Sequence, residues 1–319
     1  MDVSVLNRAS VGRIQRVTDM ATALHAKAPA LAGTRLADYL LLTRPRLSGM
    51  ALLTVAVGAI LASAGAPDWW TVAHAMVGAA LVAAGASALN QLMEREIDAR
   101  MQRTRDRPLP AGRLQPGEVL VFGFGSALGG VVYLALALPH PLAAVLAALT
   151  FLTYIFIYTP LKSRTTLNTL VGAIPGALPV VIGWTAVRGS VSAEIGALFV
   201  VLFLWQVPHF LAIAWLHRTD YRRAGLCMLP AVDPAGSMTG RQMICYCLAL
   251  LAASLTPLVV GRAGPVYLAV ALLLGFGFLV CAVGFARRPS VARARAVLRA
   301  SLIYLPTLLT FLLLDGVPR

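Results

Sequence analysis

Asn90-Gln-Leu-Met-Glu94-Arg-Glu-Ile-Asp98 runs out of an apolar stretch and into the arginine-rich Met101-Gln-Arg-Thr-Arg-Asp-Arg-Pro-Leu-Pro-Ala-Gly-Arg113. On a continuous helix Asn90, Glu94 and Asp98 recur at i, i+4 and i+8 and share one face, while Glu96 points about 160° away from Glu94. Oxygen ligands on one face suit Mg²⁺, and the arginines beyond them suit phosphate, so the stretch reads as a diphosphate site at a membrane surface. Its reach is about 12 Å at 1.5 Å per residue, too far for one ion with bonds of about 2.1 Å. Two ions fit better, as does one ion with a bridging diphosphate. Glu94 and Asp98 are the stronger candidate ligands. Asn90, one turn deeper, offers a neutral oxygen where a full charge costs more. Spacing alone also suits a solvated helix end whose acids pair with Arg100 and its neighbours. Asn90 on the same face, and Arg103 and Arg107 just downstream, favour the site.

Outward from this stretch, the 319-residue chain is 59% hydrophobic and 13% charged, with repeated apolar runs long enough to cross a hydrocarbon core of about 30 Å. The expected fold is all-α: a polytopic bundle of nine transmembrane helices over 47–64, 71–90, 117–137, 141–160, 168–187, 193–214, 242–261, 265–286 and 298–314. Of the 27 basic residues, all but Arg188, Arg262 and Arg319 lie in the N-terminal segment or in loops on one side of these spans. Short cytoplasmic loops retain Lys and Arg, which puts the N-terminus in the cytoplasm and the C-terminus outside. The same distribution explains the net charge of +14 by topology and anionic lipid contact, with no nucleic-acid partner. Residues 1–36 read as a basic cytoplasmic tail without a secretory signal, and 37–319 as one intramembrane domain.

Polar residues collect at one face. A second cluster, Tyr158-Thr-Pro-Leu-Lys162-Ser-Arg164-Thr-Thr-Leu-Asn168, places two cations in a tight turn, where they serve a diphosphate or simply mark the cytoplasmic side. The third contains Trp205-Gln-Val-Pro-His209-Phe and Asp220-Tyr-Arg-Arg-Ala-Gly. Asp220 stands where it could face Glu94 and Asp98 across a bundle. A buried His such as His209 is commonly structural, but in a pocket for a flat macrocycle it becomes a candidate contact. Pro110-Ala-Gly112 and Pro234-Ala-Gly236 form a faint internal echo, each after a helix of the same rank in a suggested four-helix repeat. A transporter would instead carry broken helices and ionisable groups near the midplane.

Together the three clusters resemble the UbiA-type intramembrane prenyltransferases, and among them the haem-directed branch. Asn90, Glu94 and Asp98 match the first Asp-rich motif with Glu at the middle position. Asp98-x-x-Met-x-Arg103-Thr-x-x-Arg107-Pro-Leu, the segment from Lys162 to Asn168, Gly183-Trp184, Trp205-Gln-x-Pro-His-Phe and Asp220-Tyr-x-x-Ala-Gly are similar to further motifs. The second Asp-rich motif offers Asp220 alone, as the haem-directed branch does, which disfavours a quinone-precursor enzyme. The resemblance implies Mg²⁺ as cofactor on Asn90, Glu94, Asp98 and Asp220, with the diphosphate held by Arg103, Arg107, Lys162 and Arg164 and the haem touched by His209. It implies transfer of a farnesyl group from farnesyl diphosphate to a vinyl group of haem B, with addition of water, giving haem O. The membrane would be the bacterial plasma membrane, or else the mitochondrial inner membrane, with a haem A synthase or oxidase assembly proteins as further partners. Prenyl transfer to an aromatic quinone precursor is the competing enzyme reading, and haem delivery or transport the competing non-enzyme one.

Overall fold

The computed structural model describes residues 34–316, except for the side chain of Arg46, and every regular element among them is helical. Among the described residues eight helices are long and apolar enough to cross a membrane, and nine spans result if Arg35–Leu42 and Leu47–Ala62 form one broken span. We number the spans α1 (Pro45–Ala62), α2 (Trp69–Met93), α3 (Pro116–Ala137), α4 (Leu142–Leu161), α5 (Asn168–Arg188), α6 (Ala193–Leu216), α7 (Ser237–Ala253), α8 (Pro265–Arg287) and α9 (Val291–Leu314). The basic residues assigned to the tail before residue 34, and Arg319, lie outside the described residues.

Local chemistry sets the ends. Asp68 accepts from the Trp70 and Thr71 amides and starts α2, as an N-cap carboxylate should. Two spans differ from the hydropathy reading. α9 begins seven residues before the expected 298, because Ser290 caps the Arg293 amide, so Arg293, Arg295 and Arg299 ride on a helix and not in a loop. α7 begins at Ser237, five residues before the expected 242, where Asp233 accepts from the Thr239 amide at 2.7 Å. Its helix breaks after Ala253, where Leu255 donates to the Ala252 carbonyl, and resumes over Thr256–Val259, so the span ends within two residues of the expected 261.

Packing divides the bundle around α5. One buried cluster joins side chains from α1 to α5, and the other joins α5 to α9 with part of α1. Residues of α5 enter both: Ile182 and Ala186 in the first, Ala177, Val181 and Trp184 in the second. A helix apolar on every side is buried on every side. At the α1/α5 crossing a Cβ on Gly58 would overlap the Val180 carbonyl, and one on Gly183 would overlap the Val55 carbonyl. Lipid supplies little hydrophobic drive between helices, so reciprocal glycines that let two backbones touch hold this crossing by dispersion. The faint echo has a structural counterpart. Gly112 and Gly236 both adopt left-handed backbone, at φ 70° and 73°, and each closes a loop that follows a span and a short helix, Arg95–Ala99 after α2 and Arg218–Arg223 after α6.

Candidate active site at one end of the bundle

The three polar clusters meet. Cys227 donates its amide to the Lys162 carbonyl at 2.7 Å, and the wholly buried Asn168 donates its side-chain amide to the Cys227 carbonyl at 2.9 Å. Arg103 reaches the Tyr221 hydroxyl at 3.3 Å and lies 5.8 Å from its ring. These bonds tie the loop after α2, the turn after α4 and the loop after α6 into one surface.

The expectation of one continuous helix from Asn90 to Asp98 is corrected by the structure. α2 ends at Met93, Glu94 takes φ −93° and ψ 5°, and a separate short helix, Arg95–Ala99, carries Asp98. The chain turns where it leaves its apolar stretch, and the turn delivers Asp98 to the loop that follows it. Thr104 donates its hydroxyl to the Asp98 carbonyl at 2.8 Å, and Arg107 donates to the Asp98 carboxylate at 2.6 Å. Burial lifts the Asp98 carboxyl above its ordinary pKa, with the Arg107 guanidinium working against the lift and the nearby Glu94 adding to it. The same burial lowers Arg107. Glu96 faces outward beside Arg95.

Glu94 is held otherwise. Lys162 crosses from the turn after α4 to place its ammonium 2.7 Å from the Glu94 carboxylate, with both side chains about nine-tenths covered. Its charge also lies 4.5 Å from the centre of the Tyr158 ring. Arg164, two residues on, is exposed. Lys162 therefore faces inward and Arg164 outward.

A π-helical turn over Thr153–Tyr158 in α4 orients Asn90. The Thr159 hydroxyl donates to the Tyr154 carbonyl at 2.9 Å, so toward Asn90 it can only accept, and the Asn90 amide N–H₂ donates to it at 3.1 Å. This leaves the Asn90 Oδ1 buried without a partner, as is the Asp98 Oδ1. A buried acceptor without a partner costs free energy. Two hard oxygens in that state suit a hard cation such as Mg²⁺, so these residues fit the metal. Among the described residues no three His, Cys, Asp or Glu side chains stand together as a metal cluster. Asp220 lies on the Arg218–Arg223 helix, close enough for its charge to act on His217 together with that of Arg103.

Arg44 is a site residue that sequence reading passes over. Its backbone is left-handed, φ 48° and ψ 60°, immediately before Pro45 starts α1. Its guanidinium Nε and Nη2 are buried without partners, and its charge acts on both Asp98 and Arg107. The only signal in the sequence is an arginine before a helix-starting proline, which looks like any other topology marker.

His209 lies seven residues inside the end of α6, about 10 Å along the helix. Ser301 donates its hydroxyl to the Leu298 carbonyl at 2.7 Å, so its contact with His209 Nδ1 at 2.8 Å requires the imidazole to donate. The Nε2 atom then carries the lone pair. Trp205 stacks on the ring at 4.9 Å and donates its indole N–H to the Ser301 carbonyl.

Residues 51–305 match the model of the UbiA prenyltransferase family. Over 287 residues the chain is 44% identical to a protoheme IX farnesyltransferase of Solibacter usitatus, covering 87% of this chain and 98% of that one. Among solved structures, a digeranylgeranylglyceryl phosphate synthase superposes with a TM-score of 0.72 at 17% identity, over 88% of this chain and 98% of that one. A UbiA homologue from Archaeoglobus fulgidus, bound to DMAPP and Mg²⁺, superposes with a TM-score of 0.61 at 14% identity, over 82% and 99%.

Proposed function

This chain belongs to the UbiA prenyltransferase family, and from that premise we propose that it transfers a farnesyl group from farnesyl diphosphate to a vinyl group of haem B, with addition of water, to make haem O. The curated relative named for farnesyl transfer to protoheme IX supports the acceptor. One observation carries the placement of the chemistry. Glu94 and Asp98 are each paired with a cation, Lys162 and Arg107, that would itself bind a diphosphate.

A buried ion pair comes close to breaking even against its desolvation, so exchanging its partners is inexpensive. With substrate bound, Asn90, Glu94, Asp98 and Asp220 would supply the oxygens for Mg²⁺, the metal named with the archaeal homologue, and Lys162 and Arg107, released from Glu94 and Asp98, would face the diphosphate beside Arg103, Arg164 and Arg44. When bound, Mg²⁺ neutralises the leaving diphosphate and favours C–O ionisation. The surrounding helices exclude water that would quench the allylic cation. His209 offers its Nε2 to the haem from a ring locked by Ser301 and Trp205. Attack by the terminal vinyl carbon on the farnesyl C1, from which diphosphate has departed, forms the new C–C bond. Water then adds to the porphyrin-stabilised cation and loses one proton to solvent, leaving the alcohol.

By its basic loops we assign the clustered end to the cytoplasmic face of a bacterial plasma membrane, with the mitochondrial inner membrane as the alternative. A haem A synthase or oxidase assembly protein would receive the product.

Purified protein given labelled farnesyl diphosphate with haem B or 4-hydroxybenzoate tests the acceptor. Haem O, identified by mass, is the expected product. Turnover with the phenol alone overturns the haem assignment, and haem O formation undiminished in Asp98→Ala overturns the site. Ser301→Ala should alter the absorption spectrum of bound haem if His209 is its contact.

A further inference from the structure

Each carboxylate of the Asn90–Asp98 stretch that faces the site is matched by a cation from another part of the chain. Lys162 Nζ lies 2.7 Å from Glu94, and Arg107 Nη1 lies 2.6 Å from Asp98. The carboxylate side chains are 11% and 1% exposed. Arg44 adds a third cation, whose charge acts on both Asp98 and Arg107 and whose buried Nε and Nη2 have no hydrogen-bond partner. At the rim Arg103 and Asp220 contribute one charge of each sign, both felt at His217.

Lys162, Arg107 and Arg44 against Glu94 and Asp98 leave a positive surplus in a poorly solvated place. A divalent cation entering alone would displace Lys162 and Arg107 from the carboxylates that neutralise them and deepen that surplus. A diphosphate entering alone would draw the same two cations away and leave Glu94 and Asp98 unpaired beside new negative charge. Together the two ligands leave nothing uncompensated. The metal neutralises the carboxylates, and the diphosphate neutralises the cations. The buried, unpartnered Oδ1 atoms of Asn90 and Asp98 mark the oxygens that the metal would take up.

We propose, resting on the diphosphate reading of this site, that Glu94, Asp98, Lys162 and Arg107 admit a divalent cation and a diphosphate only together, so that neither free metal nor metal-free diphosphate is a ligand. Linkage makes the effect reciprocal, each ligand tightening the other by the same factor, on the order of a hundredfold for strongly coupled sites. Lys162 thereby guards Glu94 from free metal, and removing it should create a metal site that the native chain lacks.

Equilibrium dialysis of the full-length protein in detergent tests this, with radiolabelled pyrophosphate and radiolabelled Mn²⁺, which shares the preference of Mg²⁺ for oxygen ligands. The wild type should retain both ligands when both are supplied, and each alone about a hundredfold more weakly. Lys162→Met should retain Mn²⁺ without pyrophosphate, and Mn²⁺ should raise its melting temperature while leaving that of the wild type unchanged. Lys162→Met/Glu94→Gln should lose that gain, which assigns it to Glu94. Wild-type binding of Mn²⁺ as tight without pyrophosphate as with it overturns the proposal and leaves a preformed metal site in place. Pyrophosphate binding indifferent to metal overturns it likewise. Coupling in the wild type without the gain in Lys162→Met overturns it too, since the coupling would then come from association of the two ligands in solution. Retention of neither ligand when both are supplied overturns the proposal together with the diphosphate reading beneath it. If Lys162→Met fails to fold, Arg107→Met, which frees Asp98 for metal in the same way, and the wild-type dialysis decide.

Discussion

Lys162, in the turn after α4, neutralises Glu94 at the end of α2 across 2.7 Å, so a diphosphate-binding cation and a metal-binding carboxylate occupy each other in the ligand-free protein. Removing one member of a buried pair leaves an uncompensated charge, at a cost of about 3–5 kcal/mol, whereas removing both is close to neutral. Lys162→Met and Glu94→Gln should each lower the melting temperature in detergent. The double variant should recover most of that loss and still make no haem O. A double variant as unstable as either single would show that the pair is not coupled.

Thr159 acts through Asn90. Thr159→Val keeps the shape and removes the hydroxyl that holds the Asn90 amide, so the Asn90 oxygen is no longer aimed by default. The Mg²⁺ concentration for half-maximal activity should rise about tenfold, the order expected for one lost hydrogen bond to a charged site, and excess Mg²⁺ should restore the rate. A lowered rate that Mg²⁺ does not restore would place Thr159 in structure alone.

Arg44 combines a strained backbone with a guanidinium whose buried Nε and Nη2 have no hydrogen-bond partner. Left-handed backbone costs a non-glycine residue about 1–2 kcal/mol, so Arg44→Gly should hold or raise the melting temperature while raising the KM for farnesyl diphosphate about tenfold. Arg44→Lys should keep the strain and regain part of the affinity. An unchanged KM in Arg44→Gly would remove Arg44 from the site.

Gly183 tests the α1/α5 crossing. A methyl there meets the Val55 carbonyl and cannot be accommodated by a side-chain rotation, so Gly183→Ala should cost about 1–3 kcal/mol, the usual range for overpacking, read as a lower melting temperature. Gly196→Ala, where a Cβ meets nothing within 4 Å, is the control and should leave it unchanged.

Much of this protein is legible along the chain. Hydropathy and charge are local, so the sequence by itself determined the membrane class, the spans, and the gathering of Asn90, Glu94, Asp98, Lys162, His209 and Asp220 toward one end, because a segment's transfer into lipid depends on its own composition. The starts of α7 and α9 were less legible, since Asp233 and Ser290, which accept from amides in the first turn, outweigh a hydropathy window. Only the tertiary structure decided which cation each carboxylate meets, that the helix breaks at Glu94, that Thr159 aims Asn90, and that Arg44 belongs to the site. Each of these joins side chains brought together by helix packing or loop closure, and periodicity along one helix carries no record of what another helix places against it.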